Sequence, residues 1–214
     1  MMFFSVLLLF ILFMFGRIIY VFYKVLYSQS QPYKIKYKTV NTLVVLGSGG
    51  HTGEMLKIIS GLDSKKFAPR IYVAAESDSI SIMRLQEMES REEEKHEYTV
   101  EVIPRSREVG QSWISSAFTT VWALMVCFRV VWHHRPDLII TNGPGTCVPI
   151  CAVAFILHIF GVIQPRQIFI ESVCRVKSLS LSGHILYWIV DDLFVQWPYL
   201  KNKYPRLKYM GRII

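Results

Sequence analysis

A chain of 214 residues, 52% hydrophobic, 19% charged and 14% aromatic, has room for one domain plus an appended segment, and is too apolar to be disordered or collagen-like. Its net charge of +8 is unevenly placed: residues 1–53 carry five cations and no acid, residues 54–108 nine bases against twelve acids, and residues 109–214 ten against four. The first basic block follows an apolar run and the last is spread thinly, which argues against nucleic acid and for a membrane surface as partner. Four cysteines, Cys127, Cys147, Cys151 and Cys174, form no C-x-x-C pair; this excludes a disulfide scaffold or zinc finger and reads as small buried thiols in a reducing compartment. His133 and His134 are adjacent rather than three or four apart, no other metal-ligand spacing occurs, and neither metal nor cofactor is expected.

The chain opens on MMFFSVLLLFILFMF, without a charge, and after Gly16 and Arg17 resumes as IIYVFY before Lys24. About 20 helical residues cross a hydrocarbon core of about 30 Å, so residues 1–23 are assigned as one transmembrane anchor with Arg17 snorkelling near its end. A cleaved signal peptide would need a basic region ahead of the apolar stretch and a small-residue cleavage site behind it, and neither is present. Arg17, Lys24, Lys34, Lys36 and Lys38 trail the anchor and place the rest of the chain in the cytosol by the positive-inside bias. Residues 24–41 read as a basic linker.

From Thr42 the pattern changes to short β-branched runs at 42–46, 70–74, 99–103, 137–141, 167–170 and 192–196. Helix candidates at 54–60, 79–88, 112–134, 148–161 and 181–189 separate them, which predicts βαβ units and an α/β fold with a Rossmann-like parallel sheet over residues 42–214. Two helices are unusually apolar: 118–132 has one charge, Arg129, and 148–163 has none, only His158. Such segments fit helices covering a parallel sheet or helices entering the bilayer. Trp113, Trp122 and Trp132 with Arg129, His133, His134 and Arg135 would suit the interface.

The strongest local signal is TLVVLGSGGHTGEML, a strand followed by Gly47, Ser48, Gly49, Gly50, His51, Thr52 and Gly53, with a helix expected from Glu54. Glycines bare the backbone N–H groups and a helix N-terminus adds a positive dipole end, so this turn is an anion cradle. It is not a Walker A loop, and Thr52 breaks the G-x-G-x-x-G dinucleotide fingerprint at its third glycine. A second turn, Asn142, Gly143, Pro144, Gly145 and Thr146, follows another apolar strand, and Glu171, Ser172, Arg175 and Lys177 lie at a third. Ligands of open parallel sheets bind outside the strands' carboxyl ends, so these turns are expected to share one crevice. His51 and Glu171 are candidate proton acceptors there, each with a structural alternative: a hydrogen-bonded loop histidine, and a capping or salt-bridged carboxylate.

In combination, GSGGHTGE, IPRSREV, NGPGTCVPI, ESVCRVKSLSLSG and VQWPYLKNKYP with the terminal YMGRII resemble the membrane-anchoring subunits of the endoplasmic-reticulum UDP-N-acetylglucosamine transferase, the Alg14 family, over nearly all of residues 42–214. The 47–51 loop is also similar to the first glycine-rich loop of the bacterial lipid-II N-acetylglucosaminyltransferase, a GT-B enzyme. The resemblance implies the N-terminal, acceptor-side half of a split GT-B glycosyltransferase. Its partner would be a soluble UDP-GlcNAc-binding catalytic subunit of the Alg13 family, and its acceptor dolichyl-diphosphate-GlcNAc at the endoplasmic-reticulum membrane. The reaction implied is inverting addition of the second N-acetylglucosamine in the dolichol-linked pathway of protein N-glycosylation, with the isolated chain inactive. Gly47, Ser48, Gly49, Gly50, His51, Asn142, Gly143, Gly145 and Thr146 would then bind the acceptor diphosphate, with Ser172 and Arg175 at the rim and the base left open between His51 and Glu171. A rival reading is a non-catalytic membrane receptor for a soluble enzyme. The apolar tail ending in Tyr209, Met210, Gly211, Arg212, Ile213 and Ile214 is expected to hold the partner, or else to form a last strand on its own core.

Overall fold

Val, Ile and Leu dominate the predicted runs, and those inside the sheet become strands because side chains on both of their faces find an apolar partner, whereas the edge run at 99–103, with Glu101, is only partly buried. The computed structural model describes residues 2–27, 38–91, 97–105, 113–143 and 145–213. Strands β1 (Thr42–Val45), β2 (Arg70–Ala75), β3 (Tyr98–Ile103), β4 (Leu138–Asn142), β5 (Arg166–Ile170) and β6 (Asp192–Val195) match the expected positions to within one residue at every end. A two-residue β7 (Lys208–Tyr209) completes a seven-stranded sheet in the order β3-β2-β1-β4-β5-β6-β7, with every pairing parallel. The chain works outward from β1 in one direction and from β4 in the other, so the order reverses between these two neighbours.

Alternation along β1 divides the core. Leu43 and Val45 face Cys127, Val131, Ile150 and Ala154 of α4 (Trp113–His134) and α5 (Cys147–Ile159). Val44 and Leu46 face Met55, Ile59 and Leu85 of α2 (Gly50–Ser60) and α3 (Ser79–Arg91). The result is a sheet between two helical layers. Three cysteines belong to that interior, where burial pushes the thiols of Cys127 and Cys151 up to about 12 and raises Cys147 as well. Cys174 departs from the expectation of four buried thiols: it is exposed, on the segment after β5. Of the two apolar helices, α5 is core, whereas α4 packs one stripe inward and turns Phe118, Trp122, Met125, Phe128 and Trp132 outward. Helix α6 (Leu181–Leu186) stops earlier than expected, and α7 (Pro198–Lys203) is an addition whose signal is Pro198 in its first turn.

Helix α1 (Met2–Tyr27) is, among the described residues, the one helix long and apolar enough to cross a membrane, and it continues four residues past Tyr23. Residues 3–13 are exposed, a surface that suits lipid. Its second half is not a free tether: Val21 and Val25 are buried against Phe155, and Phe22 packs edge-on to the Phe155 ring at 5.0 Å. Arg17, expected to snorkel, donates instead to the carbonyls of His158 (2.9 Å) and Ile159 (3.1 Å), placing a cation on the C-terminal turn of α5. At the far end, Arg206 donates to Val25 O (3.1 Å) and to Val190 O.

Burial, with Lys24 and Arg17 nearby, lowers the His158 imidazole from 6.5 to about 4. The fold therefore keeps His158 neutral where the unfolded chain binds a proton, so the stability it supports is complete above about 6.5 and is lost as pH falls toward about 4. His158→Leu is expected to blunt this loss, read as a smaller drop in urea midpoint between neutral and mildly acidic pH. An equal drop in both proteins would contradict it.

Candidate functional site

The β1–α2 turn is set by one backbone feature. Gly49 takes a left-handed conformation (φ 63°), and α2 opens on the next residue, four positions before Glu54. His51 thus lies in the first helical turn. No side chain caps α2, and Ser48, Gly49 and Gly50 are exposed, so the N–H groups of that turn face outward. Thr52 is fully buried beneath, where its hydroxyl donates to Gly47 O, while Ser81 of α3 donates to Asp78 Oδ2 (2.6 Å) and presses on the same carbonyl. The residue that breaks the dinucleotide fingerprint is the one that fastens the loop from below.

The second turn begins beside the first because β4 pairs with β1, Val45 opposite Thr141. Asn142 ends β4, fully buried, and Gly143 turns the chain with φ 69°. Gly145 is exposed and Thr146 buried, and α5 also begins without a side-chain cap. Two helix N-termini that no side chain caps therefore stand at neighbouring strand ends, an arrangement suited to anions through backbone N–H groups and dipole ends, although in α5 Val148 N–H is bonded to Gly145 O and Pro149 has none to offer. Pro144 lies outside the described residues.

The two turns are joined by side chains. His51 Nδ1 is 2.9 Å from Asn142 Oδ1, and the His51 ring fills the space a Cβ on Gly143 would need. Asn142 Nδ2 donates to Glu54 Oε2 (2.9 Å), and Glu54 Oε1 accepts from the Ser172 hydroxyl (2.9 Å) and the Val173 N–H (3.3 Å). Glu54 carries no role in the sequence reading. The available signal is its position three residues after His51, on the same helical face; its partners at 142 and 172 are visible only in the fold.

Glu171 lies below this cluster. It is fully buried, and its carboxylate accepts from Ser180 N–H (2.8 Å), Ser180 Oγ (3.0 Å) and its neighbour Ser172 N–H (3.2 Å). Ser180 caps α6, and a Cβ at Gly183 would come within 2.5 Å of Glu171 Oε2, so the carboxylate holds the β5–α6 turn closed. Ser172 is buried at the rim, while Arg175 and Lys177 are exposed beyond it.

Part of the tail forms the expected last strand, and the rest stays at the surface. Tyr209 adds to the sheet edge through β7, whereas Met210 and Ile213 remain exposed. Gly211 turns with φ 87°, Arg212 lies over the Trp197 ring at 4.5 Å, and Ile213 N–H bonds to Gln196 Oε1 (2.8 Å). Trp197 in turn donates Nε1–H to Val173 O (2.7 Å), so the tail is tied to the segment that meets Glu54. Ile214 and residues 106–109 of the IPRSREV segment lie outside the described residues.

Among solved structures, the MurG of Acinetobacter baumannii superposes with a TM-score of 0.58 at 12% identity, over 82% of this chain and 44% of its own, which establishes likeness of fold. A putative UDP-N-acetylglucosamine 2-epimerase from Listeria monocytogenes superposes at 0.56 and 10% identity, over 78% of this chain and 42% of its own. The rat protein named UDP-N-acetylglucosamine transferase subunit ALG14 is 46% identical over 183 residues, covering 83% of this chain and 84% of its own. Its human counterpart is 43% identical over the same shares, and the Schizosaccharomyces pombe one 42% over 79% of this chain and 81% of its own. The family model described as oligosaccharide biosynthesis protein Alg14 like matches residues 42–213, and the chain belongs to that family.

Proposed function

We propose that this chain is the membrane-bound, acceptor-side subunit of an inverting UDP-N-acetylglucosamine transferase. It adds the second N-acetylglucosamine to dolichyl-diphosphate-GlcNAc on the cytosolic face of the endoplasmic reticulum, and its partner is a soluble subunit of the Alg13 family that holds the nucleotide sugar. The observation that carries the reading is the pair of uncapped helix N-termini at the β1/β4 reversal with His51 between them, in a chain whose relatives are named as subunits of such a transferase. The chain spans 44% of the length of MurG, which fits one half of a two-domain enzyme.

In this mechanism the uncapped N-termini of α2 and α5 face the acceptor diphosphate, with the exposed Ser48–Gly50 turn as its main cradle. His51 takes the proton of the acceptor 4-hydroxyl as its oxygen bonds to C1 of the donor sugar and the C1–UDP bond breaks, giving inversion. Of the two base candidates, His51 is half-exposed at the crevice, whereas the buried Glu171 spends its carboxylate on Ser180. We assign Glu171 to shaping the rim. Helix α1 anchors the body, and the exposed Tyr209, Met210 and Ile213 with Arg212 receive the partner.

The pure chain is expected to show no transfer until the partner is added. Turnover with no partner detectable by mass spectrometry would refute the split reading. In the assembled enzyme His51→Ala should lower kcat by about 10²- to 10⁴-fold. Gly50→Val, whose Cβ would meet no atom within 4 Å beyond its own helix, should spare the fold and block the diphosphate; full activity in both would leave the chain as a receptor only. Removing residues 211–214 should abolish co-purification with the partner while the chain remains folded and membrane-inserted, and undiminished binding would move the interface elsewhere.

A further inference from the structure

Glu54 reaches the substrate crevice only through other residues, yet its two oxygens meet groups from all three strand ends. Oε1 faces Ser172 Oγ and Val173 N–H, and Oε2 faces Asn142 Nδ2 (2.9 Å) and His51 Nδ1 (3.6 Å). A carboxylate accepts and cannot donate, so the Asn142 side chain must present its NH₂ to Glu54 and its carbonyl to His51. In the neutral ring, an imidazole nitrogen 2.9 Å from a carbonyl oxygen must carry a proton, which leaves Nε2 as the lone-pair nitrogen.

We propose that Glu54 is a positioning residue that sets the tautomer of His51: by fixing the orientation of the Asn142 amide it holds the imidazole as Nδ1–H with Nε2 bare. The inference deepens the reading of His51 as base and rests on it for its catalytic consequence. The Nδ1 proton stays in place while Nε2 receives the hydroxyl proton, the logic by which the carboxylate of a Ser-His-Asp triad orients its imidazole. Here an amide is interposed between carboxylate and ring.

The arrangement makes an unusual prediction for Glu54→Gln, a change of one atom. Val173 N–H can only donate, so it claims the oxygen of the introduced amide and turns that amide's NH₂ toward Asn142 and His51. The Asn142 amide must then flip, presenting its own NH₂ to His51, and the imidazole is driven to the Nε2–H tautomer. Adding Asn142→Asp restores an acceptor between the introduced amide and His51 and should return the ring to Nδ1–H.

The test is ¹⁵N NMR of histidine-labelled chain assembled with its partner in nanodiscs, at alkaline pH, with the His51 signals among the six histidines identified by their loss in His51→Ala. The wild type should show Nδ1–H, Glu54→Gln should show Nε2–H, and the double variant Nδ1–H again. Transfer by Glu54→Gln should fall in kcat by about 10²-fold with little change in KM. An Nε2–H wild type, or a tautomer that does not respond to Glu54→Gln, overturns the proposal whatever the rate does; the wild-type spectrum decides even where the variant fails to assemble. A tautomer that switches while kcat is unchanged upholds the positioning role and removes His51 as base.

Discussion

Parallel pairing of β1 with β4 governs the molecule's chemistry, because these strands are neighbours in space although the α2–β2–α3–β3–α4 excursion separates them in sequence. Side chains of both strands are consumed by the core on either face, so only the turns beyond their carboxyl ends are available to a ligand. Each end is a glycine-containing turn into a helix that no side chain caps, and the shared strand register holds the two turns at one height. Local sequence makes each turn, but only the sheet makes them a pair.

Around that pair the polar groups form a continuous series. Ser81 and Thr52 hold the first loop from beneath, and His51, Asn142 and Glu54 join the two turns. Ser172 and Val173 attach the third strand end, and Val173 passes through Trp197 to Arg212 in the tail. The proposed acceptor site and the proposed partner surface are thus linked by a few direct contacts. Arg17 performs the corresponding task at the other end of α5: by bonding its last carbonyls it joins the apolar helix α1 to the core helix that begins at the second turn.

Much of this is legible in the residues. β-branched runs bounded by polar turns mark six strands: those buried on both faces need nothing beyond apolar content, and the edge strand β3 is marked by its β-branched residues alone. Boundaries shift where local preference and packing disagree: glycines argue against a helix interior and point to a start at Glu54, yet Gly50, His51 and Gly53 are helical because the first turn tolerates what the interior resists. The exposure of Cys174 is unreadable for the opposite reason, as residue type says little about position on an irregular segment. Arg17 looks like a boundary charge because its partners lie 141 and 142 positions away. Glu54 is hidden likewise: its partners Asn142 and Ser172 lie 88 and 118 positions off, and no spacing rule reaches that far.

The fit between Gly143 and the His51 ring couples two positions in a way that bears on how such a site can change over time. A side chain at 143 is opposed twice, by the positive φ and by the imidazole, and only the second obstacle belongs to another residue. Replacing His51 with something small would lift the steric half of the restriction and leave the backbone half, which Asn or Asp tolerates better than a branched residue. Substitutions at 51 and 143 are therefore non-additive, and order matters: loss of the ring must come first. A lineage that kept the imidazole would keep the glycine, while one that had relinquished it would be free to fill the gap and could not easily return.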